Sequence, residues 1–282
     1  MSGDSAGPGE SARPWGFDTS RPNAARVYDY LLGGKDNFAA DRDAAAQLLS
    51  ALPDAGRVAR ANRAFLAAAV GYVAGRGIGQ YVDIGAGLPT PPNVHQCART
   101  AVSDARVVYV DNDPVVLTHA HALMAPDGLV TAVSGDARKY DAILSSLDCD
   151  TLIDFSEPVC VLFVSMLHFL SADEADAAVA AFRERMAPGS YLVISAGHDD
   201  GRNAAAQEQI QGAYGPRITP TGRSAAEIAA YFGDFDLVPP GLVPLTEWPL
   251  EVLEPSQARF LRPASPGPAK ATMLAGIGHK RS

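Results

Sequence analysis

Three aspartates fall at or near the ends of three successive apolar runs, and their spacing is the first sign of chemistry in this chain. QYVDIGAG at 80–87 carries Asp83 and then Gly85, Ala86 and Gly87; ARVVYVD at 105–111 ends on Asp111, with Asn112 next; LVTAVSGD at 129–136 ends on Asp136, with Ala137 next. Glycines directly after a strand permit a tight turn and let the backbone approach a ligand closely. A carboxylate ending the following strand can accept both hydroxyls of a ribose, and one ending the strand after that can face an adenine edge. A fourth apolar run, PVCVLFVSML at 158–167, brings Ser165 and Met166 to the same level and is followed by His168. A neutral imidazole there could take a proton from a nucleophile near pH 7, or pack as a satisfied histidine in an apolar loop.

The glycines alone leave the nucleotide open, but the surrounding residues narrow it. A dinucleotide fingerprint GxGxxG needs glycine at position 90, which is Thr90, and GGKD at 33–36 has neither the spacing nor the context of a phosphate loop. Acidic groups at successive strand ends would repel a pyrophosphate. They suit a nucleoside that carries no phosphate and has a positive centre, as S-adenosyl-L-methionine does with its ribose, adenine, amino acid and sulfonium. Two alternatives stand beside this reading: an NAD-dependent oxidoreductase, and an S-adenosylmethionine-binding sensor or protein-interaction module without turnover.

Other reactive side chains carry less. His119 and His121 are two apart on an expected helix and face different sides, so they make no metal pair. His95 could touch the methionine end of such a cofactor or cap the next helix, and His198 with Asp199 and Asp200 could bind a metal or substrate or form a surface turn after the fifth strand; the cap and the turn are the favoured readings. Asp113 reads as the cap of the helix that begins at Pro114. Cys97, Cys149 and Cys160 are odd in number, far apart and flanked by apolar residues, which predicts buried thiols rather than a disulfide or a zinc site. No metal is expected.

The elements that must hold these residues alternate. Strands are predicted over the four runs above, over SYLVISAG at 190–197 and over 271–280, with a strand and a loop in FDLVPPGLVPLTEW at 235–248. Helices are predicted near 93–102, 115–124, 173–187, 203–213 and 224–232. Alternation of apolar strands with helices implies a mostly parallel sheet covered on both faces. Three helices precede the first strand. Ala24, Val27, Tyr28 and Leu31 form one apolar stripe that Gly33 and Gly34 end; Asn37 is placed to cap the next, with Ala45, Leu48, Leu49 and Leu52; the third runs from about 54 to 74 with Val58, Ala61, Phe65, Ala69 and Tyr72 inward. The expected organisation is a flexible tail over 1–20, an N-terminal helical cover over 21–76, and a sheet domain over 77–282 with substrate-side insertions near 198–225 and 240–270.

Composition sets the outer limits. The chain has 282 residues, 47% of them hydrophobic, and a formal charge of -9. That length allows one large domain, and the acidic balance disfavours a broad nucleic-acid footprint. There is no basic-plus-apolar leader and no run of eighteen apolar residues, so no membrane segment is expected and a cytoplasmic location follows. A homodimer is only the base-rate expectation.

RVYDYLLGGKDNFAADR, NRAFL, DIGAGLPT, NVHQ, VVYVDNDPVVL, LHF, PGSYLVIS and PGLVPLTEW, spread over about residues 20 to 250, together resemble an actinobacterial S-adenosylmethionine-dependent methyltransferase family of class I, long catalogued as a domain of unknown function. The resemblance implies an α/β, Rossmann-like class I methyltransferase fold with a mostly parallel seven-stranded sheet, methyl transfer, and the cofactor S-adenosyl-L-methionine. It supplies no substrate; a small-molecule acceptor is the expectation. Carried over by position, Asp83, Gly85, Ala86 and Gly87 would surround the methionine moiety, Asp111 would hold the ribose, Asn112 would lie near the ribose or adenine, Asp136 and Ala137 would meet the adenine, and Ser165 and Met166 would lie beside the methionine or adenine. Pro89 stands where many class I enzymes have a third loop glycine, which implies a stiffer turn. N-terminal helical additions in class I enzymes often cover the cofactor cleft. By that resemblance Tyr28, Tyr30, Gly34, Lys35 and Asn37 are lid candidates: Tyr28 and Tyr30 join His168 as catalytic candidates, and Lys35 and Asn37 as cofactor-binding ones.

Overall fold

Asn23 starts the folded chain by accepting hydrogen bonds at its side-chain oxygen from the N–H groups of Ala25 and Arg26, two donors that the first turn of a helix leaves free. In the computed structural model, which describes residues 18–122, 128–149, 152–199, 204–215, 220–248 and 273–281, helix α1 runs Ala24–Leu32 and stops at Gly33 in the left-handed region (φ 83). The expected tail lies almost wholly outside the described residues, as does most of the 240–270 insertion, and Asp200 lies outside them too. Helix α2 (Ala39–Ala51) and α3 (Ala55–Ala74) follow. The residue before α2 is Phe38, not Asn37: Asp41 reaches back to accept from the Phe38 N–H at 2.8 Å, and Asn37 is engaged elsewhere.

Strands β1 (Gln80–Ile84), β2 (Arg106–Asp111), β3 (Val130–Ser134), β4 (Cys160–Val164) and β5 (Tyr191–Gly197) are parallel, in the order β3-β2-β1-β4-β5. Strand β8 (Met273–His279) pairs antiparallel with β5, and the two-residue β6 (Asp236–Leu237) pairs with β8. That path contains the seven expected strands; a further two-residue strand, β7 (Val243–Pro244), pairs with β8 off the path. Helices α4 (Val94–Ala98), α5 (Pro114–Ala122), α6 (Tyr140–Cys149), α7 (Ala172–Arg185), α8 (Ala204–Tyr214) and α9 (Ala225–Ala230) complete the order. The parallel strands end earlier than their apolar runs. In β1 the chain turns at Gly85, and β4 stops at Val164 because Ser165 takes φ 58.

Both faces of the sheet are buried, so the strands read as unbroken apolar runs. Tyr81, Val107, Leu162 and Val193 face the layer that contains α3, while Val82, Val108, Phe163 and Ile194 face α6 and α7. Helix α3 is thus a core layer of the sheet, with Phe65 fully buried and edge-on to Trp248 at 4.9 Å. Fully burying a side chain of that kind contributes about 1.5–3 kcal/mol. Helices α1, α2 and α8 form a separate small core of Val27, Ala44, Ala45, Leu48 and Tyr214. Helix α6 has no counterpart in the expectations above, although Ile143, Leu144 and Leu147 recur at helical spacing and are buried.

Candidate active site

Strand order reverses between β1 and β4, and in open parallel sheets the crevice beyond the strand ends at such a point is where ligands bind. The loop after β1 is built on the neighbouring strand. The N–H groups of Gly85 and Ala86 both donate to the Val110 carbonyl, at 2.8 and 3.1 Å, and the Gly87 N–H donates to Asp111 Oδ2 at 2.9 Å. Gly85 (φ 73) and Gly87 (φ 68) hold backbone conformations that side chains disfavour. A Cβ on Gly85 would come within 3.0 Å of Met166 Cβ, whereas one on Gly87 would meet nothing within 4 Å. These three loop N–H groups are therefore committed within the protein and cannot cradle a phosphate, as a dinucleotide would require.

The same contacts leave a pair of carboxylates. Asp111 Oδ1 accepts from the Asp113 N–H at 2.9 Å, and burial raises its pKa while the hydrogen bonds from Asp113 and Gly87 oppose that rise. Asp83 is pushed up to about 7, chiefly by burial, with Arg63 opposing and Asp111 reinforcing the shift. Two desolvated carboxylates lining an opening favour a cation and hydroxyl donors. The ammonium, sulfonium and ribose of S-adenosylmethionine fit that donor set.

Asp83, Gly85, Ala86, Gly87, Asp111 and Asn112 line one cavity of about 470 Å³, and Asp136, Ala137, Ser165, Met166, His168 and Tyr28 line it as well. Ser165 is the one non-glycine residue at positive φ among the described residues, and its N–H donates to both the carbonyl (2.9 Å) and the Oγ (3.0 Å) of Ser195. Beyond this strip the cavity continues under α1, α2 and α8, past Leu31, Leu48, Leu52 and Ile210.

The family comparison decides between the readings. Residues 10–281 match the S-adenosyl methyltransferase family. The chain belongs to that family. Among solved structures it is similar to a candidate methyltransferase from Thermobifida fusca YX, at 40% identity and a TM-score of 0.84, covering 97% of this chain and 100% of that one. It is also similar to a DUF574 family protein from Streptomyces avermitilis MA-4680, at 31% identity and a TM-score of 0.81, covering 93% and 99%. No curated protein matches the chain at a significant level. The fold is the Rossmann-like class I methyltransferase fold with N-terminal helices, the cofactor is S-adenosylmethionine, and the activity is methyl transfer.

Several expected site residues of this methyltransferase sit differently from their expectation. Tyr30 is exposed and lies outside the cavity, because it follows Tyr28 by two positions and projects from another side of α1. Lys35 is exposed, and Asn37 donates its amide to Asp29 Oδ2 at 2.8 Å and to the Gly34 carbonyl at 3.1 Å; neither lines the cavity. The glycine loop is organised by Asp29, a buried carboxylate that also accepts from the Asp36 N–H, and a Cβ on Gly34 would collide with it. Tyr28 reaches the cavity but donates its hydroxyl proton to the Ala59 carbonyl at 3.0 Å, and burial raises its pKa and keeps it un-ionised, so it is no general base. Both oxygens of Asp136 pair with Arg138, as close as 2.6 Å, which holds the carboxyl below its ordinary range; an adenine amine would have to share it.

Sequence reasoning missed Asn62, Arg63 and Arg26. Asn62 is buried in the cavity wall, donates to the Tyr28 hydroxyl at 2.9 Å and accepts from Ser195 Oγ at 2.6 Å, joining the cover helices to the end of β5. Arg63 donates to the carbonyls of Thr90 and Pro92 and lies by Asp83. Buried Arg26 pairs with Asp41 at 3.1 Å and with Asp113 at 3.6 Å, while Asp113 caps α5 by accepting from the Val115 N–H. NRAFL and RVYDY mark these residues only as part of the family resemblance; their partners are remote in sequence. Among the described residues no group of three His, Cys, Asp or Glu side chains could hold a metal. Cys97 and Cys160 are buried thiols, both pushed up by burial. No helix among the described residues is long and apolar enough to cross a membrane.

Proposed function

We propose that the cavity holds S-adenosylmethionine along the β1–β4 strand ends and a small-molecule methyl acceptor in the chamber under α1, α2 and α8. The observation that carries this reading is the continuity of one cavity from the buried carboxylates Asp83 and Asp111 to that chamber. Its volume of about 470 Å³ lies in the range of small-molecule sites, ~300–1,000 Å³. In this reading Asp111 accepts from the ribose hydroxyls, Asp83 faces the amino group, and Gly87 gives the backbone room for close approach. The cofactor supplies an electrophilic methyl group on a sulfonium. The protein's part is to align the acceptor with it and to exclude water, and α1, α2 and α8 serve as the cover.

A labelled-methyl assay tests the proposal: the protein is incubated with methyl-labelled S-adenosylmethionine and a small-molecule extract, and label and S-adenosylhomocysteine are followed together. The expected result is label in one extract component with an equal amount of S-adenosylhomocysteine. Tight cofactor binding with no transfer to any extract component would instead favour a sensor.

A further inference from the structure

The far half of the cavity sets what kind of acceptor it takes. Its walls are the aliphatic side chains of Leu31, Leu48, Leu52, Val58 and Ile210, and Phe169 meets Tyr214 edge to face at 5.6 Å. Tyr214 is buried and lines the cavity; among the described residues its hydroxyl has no hydrogen-bond partner, and burial keeps it un-ionised. A carboxylate, charged in solution, would lose its water against these walls, whereas a neutral phenol gives up far less on entering.

His168 is the polar group that follows the cofactor strip directly, two residues after Met166. The Gly197 N–H donates to its Nδ1 at 3.4 Å, which leaves the ring proton on Nε2, pointing nearly the opposite way. Burial, with the nearby Arg223 cation, lowers the ring to about 4, so it is a neutral donor across the physiological range and a poor base. Tyr28 is committed to Ala59 and Asn62. An N–H beside the reacting atom selects for a nucleophile with lone pairs to spare. A neutral amine has one pair, which attack on the methyl carbon consumes. A phenolate oxygen has three, so it can attack with one and accept the Nε2–H with another.

We infer that the chamber takes an apolar, aromatic-sized acceptor bearing a hydroxyl of phenol acidity, and that His168 donates its Nε2–H to the oxygen that is methylated. The inference rests on the methyl-transfer reading above. The phenol first releases its proton to water. A phenolate lone pair then forms the oxygen–carbon bond as the carbon–sulfur bond breaks with its pair left on sulfur. The products are an aryl methyl ether and S-adenosylhomocysteine, and no oxidant or reductant is needed.

The test uses the full chain and three matched probes, 1-naphthol, 1-naphthylamine and 1-naphthoate. Calorimetric titration of S-adenosylhomocysteine alone first checks the underlying reading, and its failure would remove that reading as well. Each probe is then titrated into protein saturated with S-adenosylhomocysteine. 1-Naphthol should bind at least about tenfold more tightly than 1-naphthoate, a difference of ~1.4 kcal/mol, and Ile210→Trp should abolish its binding while leaving S-adenosylhomocysteine affinity intact. With methyl-labelled cofactor, 1-naphthol should be methylated and 1-naphthylamine should not. The rising limb of kcat/KM against pH should move to lower pH when 4-chloro-1-naphthol, a more acidic phenol, replaces 1-naphthol, because the ionisation belongs to the acceptor. His168→Ala should lower kcat at least about tenfold and His168→Gln, which keeps a donor, should recover part of it. Absence of 1-naphthol binding to the S-adenosylhomocysteine complex, preference for the carboxylate or amine, or a pH limb fixed regardless of the phenol would overturn the inference.

Discussion

Glycines 85 and 87 show what single residues contribute to the site. Both stand at positive φ, but only Gly85 is pressed against a side chain, Met166. Gly85→Ala should destabilise the protein by about 1–3 kcal/mol through backbone strain and overpacking, and should weaken cofactor binding. Gly87→Ala should show the smaller loss of stability with a comparable loss of affinity, since its new methyl enters open cavity. Thermal unfolding and calorimetric titration of the two variants separate the effects. Asp83 adds a pH dependence. Its pKa in the folded protein, about 7, lies above the ordinary 3.8, so its contribution to stability is fully present below about pH 4 and is lost as pH rises through about 7. Affinity for the cationic cofactor should run the other way, rising through the same window as Asp83 ionises. Titrations across that window should show this slope, and Asp83→Asn should flatten it.

The elements are joined by buried polar contacts that the helical stripes alone do not reveal. Arg26 of α1 holds Asp41 of α2 and Asp113 at the start of α5. Arg26→Ala would leave two buried carboxylates without their cation and should cost about 3–5 kcal/mol, seen as a lower Tm. Because the Asp113 N–H also donates to Asp111, cofactor affinity should fall in the same variant. The strands and the strand-end carboxylates were legible because a strand buried on both faces leaves an unbroken apolar run, and polar residues at its end stand out. Helix α6 was equally legible, from Ile143, Leu144 and Leu147, but lay between two stronger strand signals. Lys35 and Asn37 misled because polar residues in a glycine loop look alike whether they face a ligand or brace the loop. Asp29 does the bracing, and its burial is a tertiary fact. Likewise the Asn62–Ser195 bond spans 133 positions and has no local signature.

At the scale of the molecule, the cover and the sheet act as one unit. Asn62 and Arg26 tie α1, α2 and α3 to the ends of β5 and β2, the same strand ends that line the cavity. On the proposed placement the site is acidic at its cofactor end and largely apolar at its acceptor end, the polarity that a sulfonium cofactor and an apolar acceptor would require. Placement of the cofactor on Asp111 is the central claim. Calorimetric titration of S-adenosylmethionine into the wild-type protein and into folded Asp111→Ala tests it most directly. Binding to the wild type and at least a tenfold weaker affinity in the variant, a loss of ~1.4 kcal/mol or more, is the predicted result; an unchanged affinity would contradict it.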